Sequence, residues 1–125
     1  MSSPGLVWTG RVVSLLGAFP FVPSAAMKLL QHPEVVKGMT HLQVPESMIL
    51  PLGILELLCV VVYAVPQTAM LGAILLTGFL GGAILAHLRI GEPVYLQVVF
   101  GVFLWLGLFL REPRLRKLLP LRQTP

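Results

Sequence analysis

Four apolar stretches, at about residues 6–30, 47–65, 68–88 and 94–110, account for most of a 125-residue chain. Each is near the ~20 residues that a helix needs to span the hydrocarbon of a bilayer. The composition agrees, with 56% hydrophobic and 11% charged residues and a mean hydropathy of +0.88; soluble domains carry about 25% charged residues. A soluble fold of this length has no interior large enough to hide so much apolar surface. The expected fold class is therefore an all-α integral membrane protein, one domain over residues 1–125, with four transmembrane helices in an antiparallel bundle.

The linkers support this division. HPEVVKGMTHLQVPES, residues 32–47, separates the first two segments and has room for a short interfacial helix, while VPQT and RIGEP mark tight connections between the later ones. The first segment also imitates a signal peptide, with Arg11, the run VVSLLGAFPFV and small residues before Met27. Its apolar character continues through Lys28 to Leu30, which favours a retained helix. Pro20, Pro23 and Pro51 are expected to kink their helices, either for packing or to open a pocket.

Charge asymmetry orients the bundle. Arg11, Arg111, Arg114, Arg116, Lys117 and Arg122 fall on the side of the termini, against Lys28, Lys37 and Arg89 on the other. By the positive-inside rule both termini are cytoplasmic. The basic tail, 111–125, is expected to meet anionic headgroups rather than nucleic acid.

Within so apolar a chain, polar residues in the spans need reasons. Glu56 is the clearest case, about 14 Å along its helix from Ser47 at 1.5 Å per residue. A charged group near a helix centre costs about 2.5–3.5 kcal/mol on insertion scales and usually faces the bundle interior with a partner. Side chains lean toward their own helix N-terminus, so Glu56 leans outward while Lys28 and His87, on helices of opposite direction, lean inward. These three are expected to converge on one outward-facing pocket. Gln97 enters from the outer end of the last helix, and Gly53, one turn before Glu56, leaves room for a helix or a ligand. Ser14, Gly17, Phe21, Ser24 and Lys28 form a small and polar stripe along the first segment.

Each residue also has a plain structural explanation. Lys28 can snorkel to water, Glu56 can serve packing, and His87 can be an ordinary residue of a helix end. Cys59 reads as an inert small hydrophobe, Trp105 as packing, and His32 and His41 as solvent-facing. Gly78, Gly82 and Ala86, at i, i+4 and i+8, form a small-residue stripe that lets helices approach closely, either within the chain, where this helix is expected to touch two neighbours, or at a dimer interface. The three histidines show no metal or haem spacing, the lone cysteine excludes an internal disulfide or CxxC site, and the expectation is no metal and no cofactor built into the chain.

The ordered combination of PSAAMKLL, a loop, Gly53-x-x-Glu56, a small-residue third helix ending AILAHLR and a short apolar fourth resembles the DoxX-like family of small bacterial membrane proteins. The similarity runs from about Arg11 to Leu110. Members often carry a glycine shortly before the lysine, where this chain has Ala25 and Ala26. The resemblance implies a four-helix bundle in the bacterial cytoplasmic membrane, and the name-giving relatives are associated with quinone-linked sulfur oxidation.

Three functions remain open on the sequence. The favoured one is a binding or accessory subunit of a membrane redox system, holding a quinone-like or other lipophilic molecule through Glu56, His87, Lys28, Gln97 and Gly53, with a redox partner or a second copy of the chain beside it. The second is an acid/base enzyme for isomerisation, cyclisation or hydrolysis of a lipophile, with Glu56 as acid or base, His87 its partner and Lys28 a stabiliser. The third is an assembly factor in which Glu56 and Lys28 merely pair.

Overall fold

A computed structural model describes residues 4–122. Among these residues all regular structure is helical: α1 (Pro4–Ala18), α2 (Phe21–Leu29), α3 (Pro33–His41), α4 (Ile49–Ala64), α5 (Ala69–Arg89), α6 (Tyr95–Arg111) and a single turn, α7 (Pro113–Arg116). Three stretches, Pro4–Leu29, Glu46–Ala64 and Pro66–Arg89, are long and apolar enough to cross a membrane. The fourth apolar helix, α6, has 17 residues, so it is about 25 Å long against ~30 Å of hydrocarbon. The bundle's outward surface is apolar, with Leu15, Ile74, Leu85 and Val102 all more than half exposed, as lipid-facing positions require.

The first apolar segment is not one continuous helix. Pro20 and Pro23 lack the N–H groups that would bond the carbonyls of Leu16 and Phe19, and the chain makes a turn at Phe19 and Pro20 in which Val22 N–H donates to Phe19 O at 3.0 Å. This break changes the segment's neighbour: α1 lies along α6, whereas α2 lies along α4. The last helix pairs, α4 with α5 and α5 with α6, close the bundle. Because the first span crosses from one corner to the other, it leaves one gap beside α2 and another beside α1. Pro51 does not act in this way; it falls in the first turn of α4, where a missing N–H is tolerated, and the expected kink there is absent.

Small residues make the close approaches, though not the ones the third-segment stripe predicts. Gly10 and Gly17 on α1 meet the backbone of α6, and a Cβ on Gly72 would overlap the Tyr63 backbone of α4. By contrast, a Cβ at Gly78 or Gly82 would touch nothing within 4 Å. Of the two uses open to this stripe, packing within the chain or contact with a second copy, the first is not seen at these glycines; α5 touches α4 and α6 through other residues.

Between the gaps lies a core of Phe21, Cys59, Tyr63, Leu76, Leu104 and Leu108. Tyr63 Oη donates to Leu104 O at 2.7 Å, tying α4 to α6 across the bundle, and Trp105 Nε1 donates to Thr77 Oγ1 at 2.7 Å, joining α6 to α5. The basic tail is partly folded: α7 returns against α6, and Leu115 is buried. Residues 123–125 of the expected tail lie outside the described residues.

The loop after α2 does form a helix. His32 N-caps α3, its Nδ1 accepting from Glu34 N–H at 3.2 Å, and Pro33 occupies the first helical position. No residue of α3 is buried, so the helix lies on the surface of the bundle.

Candidate functional site

The gap beside α2 is a cavity of about 700 Å³ at the end of the bundle away from the termini. Pro20, Phe21 and Ser24 border it from α2, Gly78, Gly82 and Ala86 from α5, and Phe100 from α6. The unopposed glycines are thus cavity wall, and their missing side chains are part of its volume. On the remaining side Met39, Leu42, Val44 and Pro45 cover the space. That cover is fastened at two points: His41 Nε2 lies 2.6 Å from Glu92 Oε1, and Arg89 Nη2 donates to the Leu42 carbonyl.

At the cavity's inner end is a three-membered polar network. Lys28 Nζ donates to Glu56 Oε1 at 2.9 Å and to Ser24 Oγ at 2.7 Å, and Ser24 Oγ donates to the same Oε1 at 3.1 Å. Lys28 and Glu56 are 7% and 2% exposed, so this is a buried ion pair and Lys28 does not snorkel to water. The ammonium also lies 5.8 Å from the Phe79 ring centroid, a cation–π contact that compensates for lost hydration. An ammonium has three N–H donors; two are engaged here, and one remains.

The local sequence accounts for the arrangement. Ser24 and Lys28 are four apart on α2 and so share a face. Gly53 lets α2 approach α4 at that level: a Cβ there would fall 2.8 Å from Lys28 Cβ and 3.4 Å from Ala25 O. Gly53 therefore seats the lysine-bearing helix. Of the two occupants expected beside Gly53, a helix or a ligand, the structure places a helix, α2, against it.

His87 and Gln97 do border the cavity, together with Lys28 and Glu56. His87 Nδ1 sits 2.7 Å from Ala83 O. A carbonyl only accepts, so Nδ1 is assigned the proton and Nε2 of the neutral ring is left as an acceptor. Neither His87 nor Gln97 hydrogen-bonds Glu56 or Lys28 among the described residues, so the expected cluster is a shared cavity rather than a bonded triad. His32 and His41 stay on the exposed surface but are used, one as a cap and one as a fastener.

Sequence reasoning placed Ser24 on the right face without giving it a role in the site; its i, i+4 spacing to Lys28 was the available signal. The covering loop carried no such signal, since apolar loop residues such as Met39 and Leu42 do not reveal what they lie over. Among the described residues no three of His, Cys, Asp and Glu gather as metal ligands.

A family model matches residues 12–109, and its description is the DoxX-like family. The chain belongs to the DoxX-like family. The matched stretch takes in the second half of α1 from Val12, all of α2 to α5, most of α6, and every polar residue bordering the cavity. No curated protein and no solved structure matches the chain. In this DoxX-like protein the close approach before the lysine is made with alanine: Ala25 is fully buried, and the glycine stands opposite, at position 53 of α4. Family membership and the apolar helices together make it a membrane protein.

Proposed function

We propose that this DoxX-like protein is a four-span protein of a bacterial cytoplasmic membrane, with both termini in the cytoplasm, that holds a lipophilic molecule bearing a carbonyl head, such as a quinone. The observation that carries the reading is the buried Lys28–Glu56 pair at the inner end of a 700 Å³ cavity with mostly apolar walls. Small-molecule sites typically enclose about 300–1,000 Å³, with few polar groups fixing orientation.

The donors and acceptors suit a neutral carbonyl ligand. The ion pair at the inner end has no net charge, and the other charged lining residue, Arg89, is turned to the Leu42 carbonyl of the cover, so the inner end does not demand an ionic guest. The third Lys28 N–H and the Gln97 amide offer donors to a carbonyl oxygen, while Glu56 Oε2 and His87 Nε2 offer acceptors to a hydroxyl, the group a carbonyl becomes on reduction. Electron transfer belongs to a partner in this reading, and the chain acts as a binding or accessory subunit. The acid/base alternative draws less support, because its Glu56–His87 dyad is not hydrogen-bonded.

The test is equilibrium binding of a short-chain benzoquinone and a short-chain naphthoquinone to the purified protein in lipid nanodiscs. One saturable site per chain is expected, lost in Gly82→Leu, which projects a side chain from the cavity wall at a position where an added Cβ meets nothing within 4 Å. No saturable binding of either quinone, or binding indifferent to Gly82→Leu, overturns the reading.

A further inference from the structure

The second gap, beside α1, is a smaller cavity of about 320 Å³ near the end of the bundle that carries the termini. Arg11 and Ser14 from α1, Tyr63 from α4 and Arg111 from the end of α6 border it. Two polar atoms of these lining residues lack partners among the described residues. Ser14 Oγ and Arg111 Nε are both buried without a hydrogen bond, and Ser14 as a residue is 5% exposed. Buried polar groups in folded chains are nearly always satisfied, so an orphaned pair at one cavity calls for a reason.

Among the described residues the two guanidiniums are also without a carboxylate. Of the five acidic residues, Glu34, Glu56, Glu92 and Glu112 engage Lys37, Lys28, His41 and Arg114 respectively, and Glu46 begins the turn before α4 at the opposite end. Each arginine instead rests on a ring, Arg11 at 5.0 Å from the Trp8 centroid and Arg111 at 5.6 Å from that of Tyr63. Stacking holds a guanidinium in place while its in-plane N–H donors stay free. Two such forks and a serine at one cavity make a donor set suited to the oxygens of a phosphate.

The rest of the lining decides the kind of phosphate. Leu15, Ala18, Phe19 and Val22 complete one wall, and Leu15 and Phe19 are each 62% exposed on the outer surface, so the polar end continues directly into lipid-facing apolar groove. We propose that this cavity binds the phosphate head of an anionic glycerophospholipid, with Arg11, Arg111 and Ser14 holding the phosphate and an acyl chain lying along Leu15 and Phe19. The site is separate from the large cavity and does not depend on what that cavity holds.

The test is native mass spectrometry of the full chain in detergent, with phosphatidylglycerol and phosphatidylcholine of matched acyl chains as probes. Preferential retention of phosphatidylglycerol is expected. Arg11→Gln, at an exposed position whose one ring contact is the exposed Trp8, is expected to weaken it about tenfold, the worth of one charge-assisted contact; Ser14→Ala weakens it less, and Arg11→Gln/Arg111→Gln brings the two lipids to parity. Arg114→Gln/Lys117→Gln, in the tail, leaves the preference intact. If the double variant does not fold, Arg11→Gln alone decides. Preference unchanged by Arg11→Gln, preference lost equally in the tail variant, or displacement of the lipid by millimolar inorganic phosphate each overturns the proposal, the last by assigning the site to free phosphate.

Discussion

Lys28 Nζ and Glu56 Oε1 are 2.9 Å apart in a nearly water-free position, and the Ser24 hydroxyl bonds both partners. Removing one member strands the other as a buried charge, which costs about 3–5 kcal/mol. Lys28→Met and Glu56→Leu are each expected to lower thermal stability in detergent by an amount of that order. The paired variant Lys28→Met/Glu56→Leu is expected to recover most of the loss, since an apolar pair of similar volume is often neutral. Quinone binding is expected to vanish in all three; a double variant that still binds assigns the pair to packing alone.

The glycines of α5 separate packing from cavity. Gly82→Ala adds a methyl where nothing lies within 4 Å and removes backbone freedom from the unfolded chain. The expected effect is a gain of about 0.4–1 kcal/mol, measured as a rise in melting temperature. Gly82→Leu is expected to fold equally well and to abolish ligand binding.

About three turns earlier on the same helix the outcome reverses. Gly72 lies against the Tyr63 backbone, with no flexible side-chain end to give way. Gly72→Ala is expected to force α4 and α5 apart and to cost about 1–3 kcal/mol, the usual range for overpacking. It also disturbs the Tyr63–Leu104 hydrogen bond. Comparing unfolding midpoints of the 72 and 82 variants checks both signs in one experiment.

Arg89 holds the covering loop by a single bond to the Leu42 carbonyl, beside the His41–Glu92 contact. Both contacts are exposed, so their removal changes global stability by at most ~1 kcal/mol. Locally the effect is larger. Arg89→Ala/Glu92→Gln is expected to speed amide hydrogen exchange over residues 39–45 and to shorten the residence time of a bound ligand, with the melting temperature almost unchanged.

Much of this protein is legible in its sequence because hydrophobic length and buried charge are strong signals. The apolar stretches give the helices within a few residues, and a carboxylate in LGILELLCV has few destinations other than a partner such as Lys28. What periodicity does not encode is the neighbour. Gly53, Gly72 and Gly82 look alike in sequence, yet one seats α2, one seats α4 and one faces open space. The break at Pro20 is visible as a proline, but its effect, exchanging α6 for α4 as the contact, is a property of the assembled bundle. The cover over the cavity escaped for a related reason, since its residues have no period to read.

The oblique path of the first span means that neither cavity is a segment of the other. They share no lining residue, and Phe21, Leu76 and Leu104 fill the space between them with side chains at most 5% exposed. The bundle thus carries two separate receptacles, one toward each end, and a substitution that fills one leaves the lining of the other as it was.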